Sequence, residues 1–505
     1  MELNIKENGK KKALRLMIQG THSDAGKSIL TTALCRIFKQ DGYKTAPFKS
    51  QNMALNSYIT KDGKEIGRAQ GVQAEAAGIE ADTDMNPILI KPSGEMESQV
   101  VFHGRPFAVM NAAVYREDFF RLGLEAIKKS LHKLLTNYDA VVIEGAGSPA
   151  EVNLNDRELV NMRVAEIADA PVLLVGDIDR GGVFASLVGT LQLLQEKDRK
   201  RVAGVVINKF RGDLTLLEPG LQWFEEYTGI PVVGVVPYIP DLEIDGEDSL
   251  VLNQYSRGTN LEGDLDVAVI AYPRLSNFTD IDPLRLEADV NIRYVRKASE
   301  FGRPDLIILP GSKNTAEDLR FLKETGLFDR VLSAYKNGTQ IMGICGGYQM
   351  MGEKLSDPEG VESGIREQDG LAIFPVSTVL YADKKTVQTE GPCAVPGYEG
   401  VSLSGYEIHM GQTLLSDDPS PFSIQKGTGE GYAKENAMGT YLHDVFHNDA
   451  FRWRFLNRLR SKKGLQPIER SLYFRELKER EFDRLADHVR AALDLDKIYE
   501  IMKRR

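Results

Sequence analysis

A cysteine set between glycines is the clearest candidate nucleophile in the sequence. The run GICGG at residues 343–347 follows an apolar stretch and precedes the helical pattern YQMMGEKL. A strand, a tight glycine turn and a helix form a nucleophile elbow, here with Cys345 where hydrolases place serine. The turn aims the sulfur outward at a helix start, where positive partial charge favours the thiolate. We predict that Cys345 is a catalytic nucleophile; the alternative is a buried structural cysteine.

A histidine lies at a useful distance downstream of this cysteine. His443 ends the run GTYLH at residues 439–443. A histidine there can act as a base toward Cys345 and as an acid toward a leaving amine. The run LPGS at residues 309–312 ends the strand before the elbow. We expect the backbone N–H groups of Gly311 and Gly346 to form an oxyanion hole.

A phosphate-binding loop is predicted near the start of the chain. The run GTHSDAGKS at residues 20–28 follows an apolar run and precedes a helical segment. It has one residue more between its glycines than the common P-loop. Its N–H groups can surround phosphate, its lysine supplies charge, and its serine can join Mg²⁺ coordination. The predicted ATP contacts are Thr21, Asp24, Ala25, Gly26, Lys27 and Ser28; the alternative is an ordinary strand–helix turn.

A carboxylate follows another apolar run. Asp177 ends the run PVLLVG and begins DIDRGGVF. A carboxylate at the end of a buried parallel strand is well placed to bind metal or substrate. A purely structural turn is the equal alternative.

Two series of buried strands must hold these residues. Residues 14–19, 140–143, 172–175 and 202–207 are short β-branched runs followed by glycine or aspartate and then by helical patterns. A second series comprises residues 267–271, 306–309 and 340–344. This alternation predicts doubly wound α/β sheets with ligands at the carboxyl ends of the strands.

The 505-residue length and the change of pattern between the two series predict two domains. We expect a first domain at residues 1–245, a connector rich in Asp, Glu, Gly and Asn at 246–264, and a second domain at 265–460. Residues 461–505 form a helical tail that either covers the second domain or stands as a small appendage.

Composition narrows the class of protein. The net charge of −10 disfavours general binding to nucleic acid or to an anionic membrane. The three cysteines are far apart, which is typical of a reducing cytoplasm rather than of a disulfide framework. The N-terminal run has no apolar signal core, and no run is long and apolar enough to predict a membrane span.

The loop at residues 20–28 resembles that of dethiobiotin synthetase and its relatives, which phosphorylate a carboxylate with ATP. The resemblance extends to PFK at residues 47–49, EGAG at 144–147 and NK at 208–209. It implies a P-loop NTPase-like domain with Lys49 as a catalytic lysine, Glu144 as an Mg²⁺ ligand and Asn208 at the adenine. The alternatives are a solvated lysine and a helix-capping glutamate.

The second half resembles class I glutamine amidotransferases through its elbow and His443. Most members carry His-Pro-Glu, in which the glutamate orients the histidine. This sequence has Asp444 and Val445 after His443. Either a dyad suffices, or another carboxylate such as Asp444 or Glu407 takes the third place. The cobyrinate-amidating branch of the family also lacks the usual glutamate.

The order of the two domains resembles that of the cobyric acid synthase family over roughly residues 14–460. The matching motifs are KSQNMALNS at 49–57, VGDIDRGG at 175–182 and GYEIHMG at 405–411. The resemblance implies substrate contacts at Gln51, Asn52 and Asp177. It also implies that ATP, Mg²⁺ and glutamine serve to amidate the b, d, e and g carboxylates of a corrinoid, adenosylcobyrinic acid a,c-diamide.

Other functions stay open from the residues alone. A cobyrinic acid a,c-diamide synthase, or a ligase amidating a cell-wall lipid intermediate, would use the same groups. A ParA-like ATPase switch is the alternative from a different class, and the elbow with His443 on the same chain argues against it.

Overall fold

The computed structural model describes residues 13–92, 97–111, 115, 119–153, 158–244, 264–414, 420–469 and 473–504. All but the last residue of the connector predicted at 246–264 lies outside these ranges. The chain divides into two compact units, each considered in its described part. Their limits are Met1–Ala54, Glu65–Ile244 and Lys478–Arg505 for the first unit, and Leu55–Lys64 and Asp245–Leu477 for the second.

Many of the strands in the described residues are short. In the first half of the chain they are β1 Leu14–Gly20, β2 Thr45–Phe48, β3 Gln51–Met53, β4 Ser57–Ile59, β5 Glu65–Gly67, β6 Ile88–Pro92, β7 Glu97–Phe102, β8 Arg105–Asn111, β9 Ala140–Glu144, β10 Val172–Asp177, β11 Val202–Phe210 and β12 Val232–Pro237. In the second half they are β13 Leu265–Ile270, β14 Val290–Val295, β15 Leu306–Leu309, β16 Gln340–Ile344, β17 Lys354–Ser356, β18 Glu367–Asp369, β19 Ser377–Pro392, β20 Ser402–Leu414, β21 Ser423–Gln425, β22 Thr428–Glu430, β23 Tyr432–Lys434 and β24 Ala437–Thr440.

Helices separate many of these strands. They are α1 Lys27–Gln40, α2 Arg68–Ala77, α3 Phe120–Asn137, α4 Met162–Ala168, α5 Val183–Leu193, α6 Glu196–Arg199, α7 Glu218–Thr228, α8 Asp282–Arg285, α9 Thr315–Glu324, α10 Leu327–Lys336, α11 Gly346–Met350, α12 Asp449–Lys462, α13 Phe474–Ala492 and α14 Leu495–Lys503. None of the helices in the described ranges is both long enough and apolar enough to cross a membrane.

The central sheet of the first unit is parallel throughout. Its strand order is β12-β11-β10-β1-β9-β2, and each neighbouring pair runs in the same direction. The chain leaves β1 toward one edge and later returns to fill the other side, so the topological switch lies beside β1. Ligands bind at the carboxyl ends of the strands at such a switch. The prediction of a doubly wound parallel sheet is confirmed.

Apolar side chains alternate between the two faces of that sheet. Met17 and Val141 belong to the core on one face, whereas Leu16, Ile18 and Val142 belong to the core on the other. Because both faces are covered, the strands read as continuous apolar runs in the sequence. A smaller sheet of order β3-β6-β7-β8 also belongs to this unit.

The C-terminal helices contradict part of the sequence-based expectation. α12 packs into the core of the second unit, as expected. From Lys478 onward the chain belongs instead to the first unit. Phe482, Leu485 and Ile498 join the core that contains Leu16. An amphipathic pattern shows which face of a helix is buried but not which partner buries it, so the sequence could not decide this point.

The second unit has a six-stranded sheet of its own. Its order is β14-β13-β15-β16-β24-β23. Only the edge pair β23–β24 is antiparallel among these neighbours. A second sheet, β18-β17-β19-β20, belongs to the same unit. The predicted second α/β domain is confirmed, with β16 leading directly to Cys345.

Candidate active sites

The glycine loop at residues 20–28 joins β1 to α1, as the sequence predicts. Gly26 has a φ of 95°, and a Cβ atom there would lie 2.0 Å from Asn208 Nδ2, so only glycine fits this turn. Lys27 Nζ donates to the carbonyls of His22 at 3.0 Å and Gly147 at 3.2 Å. The lysine is therefore held over the loop, where a phosphate oxygen can replace a carbonyl as its partner.

Glu144 bonds to two of the predicted side chains, Ser28 and Lys49, and also to Gln73. Ser28 Oγ donates to Glu144 Oε1 at 2.8 Å, and Lys49 Nζ pairs with the same oxygen at 2.9 Å. Gln73 Nε2 donates to Oε2 at 2.6 Å. Lys49 is 5% exposed and Glu144 is 1% exposed. A solvated Lys49 and a helix-capping Glu144 are thus both wrong, because the two groups form a buried pair at the carboxyl ends of β2 and β9.

The donor set around Glu144 fits a magnesium ion. A serine hydroxyl and a carboxylate are the oxygen ligands that Mg²⁺ takes beside nucleotide phosphates. Ser28 lies in the first turn of α1 next to Lys27, where phosphates bind in loops of this kind, and Glu144 at the end of β9 is bonded to it. Ser28 and Glu144 would hold the ion, and it would neutralise charge on the transferring phosphoryl group.

Asp177 lies in a cluster of charged groups beside the loop. Its Oδ2 pairs with Lys209 Nζ at 2.8 Å, and Oδ1 accepts the Asp179 N–H at 2.9 Å. Burial would raise the pKa of Asp177, but the hydrogen bond and charge of Lys209 outweigh it and hold the pKa below its ordinary value. Lys209 Nζ also donates to the Asp24 carbonyl at 2.6 Å. Asp177 therefore forms a turn and places a charge beside the loop, while its binding of metal or substrate stays a prediction.

The other predicted ATP and substrate residues belong to the same unit. Asn208 Nδ2 donates to the Ala25 carbonyl at 2.9 Å, so it contacts the loop directly. Gln51 accepts from the Tyr115 hydroxyl at 2.5 Å and is half-buried. Asn52 is buried and donates to Gln70 Oε1 at 2.9 Å. Gln51 is thus the more accessible of the two candidate substrate residues.

The elbow around Cys345 has the geometry that its sequence predicts. Cys345 has φ 51° and ψ −110°, a strained conformation for a residue with a side chain. A Cβ atom on Gly347 would lie 1.8 Å from the Leu309 carbonyl, and one on Gly343 would lie 2.9 Å from the Tyr348 backbone. Glycine is therefore required on both sides, and the sulfur projects from the end of β16.

The loop after β15 lies against the elbow. A Cβ atom on Gly346 would lie 3.0 Å from the Ser312 nitrogen. One on Gly311 would lie 3.3 Å from the His443 ring. The structure therefore brings Gly311, Gly346 and His443 together around the sulfur. This arrangement can stabilise an oxyanion formed when Cys345 attacks a carbonyl carbon.

His443 is completely buried and is oriented by Asp280. Its Nδ1 lies 2.7 Å from Asp280 Oδ2, and its ring stacks on Tyr406 with centroids 4.9 Å apart. Burial lowers the pKa of His443, but the charge and hydrogen bond of Asp280, followed by those of Cys345, outweigh it and raise the pKa to about 10. With Nδ1 facing the carboxylate, Nε2 is the atom available to the cysteine. Cys345, His443 and Asp280 thus have the relation of a catalytic triad.

The two carboxylates proposed from the sequence for the third position are wrong. Asp444 Oδ1 faces His447 Nδ1 at 3.5 Å, while its N–H donates to Asp280 Oδ1. Glu407 pairs with Lys385 at 2.6 Å and with His409 at 3.0 Å. The contacts described above for these two carboxylates are with other groups, whereas Asp280 is bonded to the His443 ring, so Asp280 replaces both of them as the candidate for the third position.

Sequence reasoning missed Asp280 because it precedes His443 by 163 positions. Its only local signal is the polar run SNFTDID at residues 276–282, which follows the first strand of the second series. Polar residues after a buried parallel strand lie at the edge where the other catalytic groups lie. That rule, applied to β13, would have selected the run although not the residue.

Comparison with known proteins supports both halves. Residues 16–251 match the family described as the CobQ/CobB/MinD/ParA nucleotide binding domain. Residues 266–451 match the CobB/CobQ-like glutamine amidotransferase domain. The presence of the second domain disfavours the ATPase-switch alternative.

Proteins named cobyric acid synthase match nearly the whole chain. The one from Geobacillus kaustophilus is 57% identical over 495 residues, covering 97% of this chain and 98% of its own. The chain belongs to the cobyric acid synthase family. A member from Streptococcus sanguinis is 52% identical over 499 residues, covering 97% of this chain and 99% of its own. The family resemblance drawn from the sequence motifs is thereby confirmed.

Proposed function

We propose that this chain is an ATP- and glutamine-dependent carbon–nitrogen ligase that amidates the b, d, e and g carboxylates of adenosylcobyrinic acid a,c-diamide. The observation that carries the ligase chemistry is the Cys345–His443–Asp280 triad on the same chain as a nucleotide loop. The corrinoid substrate is supported by the family. The proposed division is a synthetase domain at residues 1–245 and an amidotransferase domain at 265–460.

The glutaminase half releases ammonia from glutamine. Cys345 Sγ attacks the amide carbon, and the N–H groups of Gly311 and Gly346 stabilise the oxyanion. His443 Nε2 gives its proton to the leaving nitrogen, so ammonia departs and a glutamyl thioester remains. Water, deprotonated by His443, then attacks the thioester and releases glutamate. Asp280 keeps the histidine in the required tautomer throughout.

The synthetase half activates the acceptor carboxylate. A carboxylate oxygen of the corrinoid attacks the γ-phosphorus of ATP, and ADP leaves, which gives an acyl phosphate. Lys27 and Lys49 provide positive charge for the phosphoryl group in transfer. Ammonia then attacks the acyl carbon, and phosphate leaves as the amide forms. Ser28 and Glu144 would hold Mg²⁺ here, with Asn208 and the loop on the nucleotide, and Gln51, Asn52 and Asp177 on the substrate side.

Product mass decides between this function and its nearest competitors. Purified protein is incubated with ATP, Mg²⁺, glutamine and cobyrinic acid a,c-diamide in its adenosylated form. We expect mass losses of about 1 Da for each carboxyl-to-amide conversion, ending after four, which follows from replacing OH by NH₂ at four positions. A parallel incubation contains cobyrinic acid in place of the diamide; amidation of cobyrinic acid at two positions, with no mass change in the diamide, would indicate the a,c-diamide synthase instead. ATP hydrolysis without any amide product would remove the ligase proposal altogether.

A further inference from the structure

The segment Leu55–Lys64 belongs to the second unit although residues of the first unit flank it on both sides. It contains the end of the motif at residues 49–57 and the strand β4. The chemistry described above assigns no role to it. Its contacts within the second unit lead to the groups that hold His443 and Cys345.

One set of contacts passes through Asn277. The Ser57 N–H donates to Asn277 Oδ1 at 3.1 Å. Asn277 Nδ2 then lies 3.4 Å from His443 Nε2, the ring nitrogen that serves the cysteine. Since the Ser57 N–H requires an acceptor, it determines which end of the amide faces the histidine. Asn277 is 4% exposed and its φ is 52°, so its backbone also has a special conformation.

A second set of contacts passes through β20. Ile59 is 2% exposed and forms a small apolar cluster with Tyr406 and Ile408. Tyr406 stacks on the His443 ring, and its carbonyl accepts the His443 N–H at 2.8 Å. The Ile408 carbonyl accepts from Cys345 Sγ at 3.5 Å. The same two residues that pack on Ile59 therefore contact the base and the nucleophile.

The position of the segment is fixed at further points. Gln388 Nε2 on β19 donates to the Ile59 carbonyl at 2.7 Å. A Cβ atom on Gly63 would lie 3.0 Å from the Thr386 carbonyl, so the segment passes close to the β19 backbone. The segment is thus held on β19 and β20 rather than resting loosely on them.

We propose that the segment Leu55–Lys64 is a positioning element of the glutaminase site, acting on His443 through Asn277 and on β20 through Ile59. The inference rests on the glutaminase activity of the proposed function. Asn277 presents an N–H donor to His443 Nε2, and this arrangement favours the histidine form in which Nε2 is an acceptor. Tyr406 and Ile408 are held by Ile59 in the positions that align the ring and the sulfur. Misplacement of catalytic groups by about 1 Å costs up to about 10²-fold in rate.

Asn277→Asp and Ile59→Ala test the two sets of contacts in the full-length protein. Aspartate has the size of asparagine and accepts the same left-handed backbone, but it would place a carboxylate oxygen opposite His443 Nε2. We expect the glutaminase kcat of each variant to fall by about 10-fold or more with little change in the KM for glutamine. In Asn277→Asp the alkaline limb of the kcat–pH profile moves upward, because a second carboxylate beside Asp280 and the Cys345 thiolate favours the charged imidazolium.

Ile292→Ala is the matched control, since Ile292 is a buried isoleucine on β14, the edge strand of the six-stranded sheet in the second unit. It loses the same atoms as Ile59→Ala and is expected to lower Tm without changing glutaminase kcat.

Amidation with ammonium chloride as the nitrogen source should be unchanged in the three variants. Equal kcat values and pH profiles for Asn277→Asp, Ile59→Ala and Ile292→Ala would overturn the proposal. If Ile59→Ala does not fold, Ile59→Val takes its place with Ile292→Val as its control, since each removes one methyl group; a lower glutaminase kcat in Ile59→Val alone supports the proposal, and equal kcat values overturn it. A wild-type protein without glutaminase activity would instead contradict the proposed function.

Discussion

The two candidate active sites differ in how their reactive side chains are held. In the second unit, the ring of His443 is enclosed by Asp280, Tyr406 and Asn277 and has no exposed surface. In the first unit, Lys27 bonds to loop carbonyls and Asn208 to the Ala25 carbonyl, all partners that a nucleotide can replace. The catalytic groups of the second unit are held in place by packing. Those of the first unit are held by hydrogen bonds that must be replaced by bonds to the nucleotide when it binds.

This difference fits the chemistry required of each site. A thiolate–imidazolium pair must be aligned before glutamine arrives, since orientation provides much of the rate. A phosphate-binding loop gains from flexible partners, because lysine contacts must follow the phosphoryl group as it transfers. Mutations in the first site should therefore affect ATP-dependent steps alone, and those in the second should affect nitrogen supply alone.

The largest expected effect is that of Cys345→Ala. Glutaminase activity and glutamine-dependent amidation should fall by roughly 10⁴-fold or more, because the nucleophile is removed. Amidation with ammonium chloride should continue. Cys393→Ser is the matched control, since Cys393 is a buried cysteine whose sulfur donates to the Phe422 carbonyl at 3.6 Å, and a serine hydroxyl can keep that bond. Assaying both nitrogen sources checks this. Loss of both activities in Cys345→Ala would contradict the separation of the two sites.

Lys27→Met should produce the opposite pattern. Amidation should fall by about 10²–10³-fold with either nitrogen source, because a charge on the phosphates is lost. Glutaminase activity assayed alone should be retained. Lys197→Met removes an exposed lysine and serves as the control. Product mass spectrometry and glutamate release, measured in parallel, distinguish the two effects. An equal loss of glutaminase activity in Lys27→Met would contradict the conclusion that the two sites act separately.

Asp280→Asn tests the third member of the triad. Glutaminase kcat should fall by about 10²-fold or more, since an amide does not hold the tautomer or stabilise the imidazolium. Asp444→Asn, which changes the neighbouring carboxylate, should have a small effect. Equal losses in the two variants would contradict the assignment of Asp280.

The pH dependence of folding stability should also report on the pair formed by His443 and Asp280. The folded-state pKa of His443 is raised from 6.5 to about 10, with Asp280 the main favourable cause against burial. A raised pKa contributes stability that is complete below pH 6.5 and is lost as the pH rises through about 10. The difference in free energy of unfolding between wild type and Asp280→Asn should therefore shrink over that interval. Urea unfolding at several pH values measures it, and a constant difference would contradict the linkage.

The smallest expected effect is that of Lys209→Met. Lys209 holds the pKa of Asp177 down and contacts the loop at Asp24. Its removal should raise the KM for ATP by roughly 3–10-fold, which corresponds to loss of about one charge-assisted hydrogen bond. Arg211→Ala, at an exposed residue paired with Asp179, is the control. Initial rates at varied ATP concentration provide the measurement. An unchanged KM would mean that the Asp177 cluster is structural.

The sequence was informative where the chemistry depends on local spacing. The elbow at Cys345, the loop at Lys27 and the strand ends at Lys49 and Glu144 all follow a buried run within a few residues. Each could be located because a parallel strand leads directly to its ligand. The two α/β sheets were also predictable, because strands covered on both faces appear in the sequence as continuous apolar runs.

Contacts between residues far apart in the chain could not be predicted from the sequence. Asp280 meets His443 only after the sheet has ordered β13 and β24, and neighbouring residues carry no sign of the pairing. The expected third carboxylates, Asp444 and Glu407, were chosen because they are near in sequence or in motif. The segment Leu55–Lys64 and the helices after Lys478 belong to units that their flanking sequence does not indicate.

The packing of the last helices has a consequence for biosynthesis. Ribosomes deliver a chain from its N-terminus, and domains usually fold as they emerge. Here the core around Leu16 and Phe38 also contains Leu485 and Ile498, which are translated after the glutaminase region. The apolar face of the nascent first unit that these helices cover therefore stays exposed until the glutaminase region has been translated. A premature stop before α13 would leave that face open, and the shortened product would be a substrate for chaperones and proteases rather than a simpler enzyme.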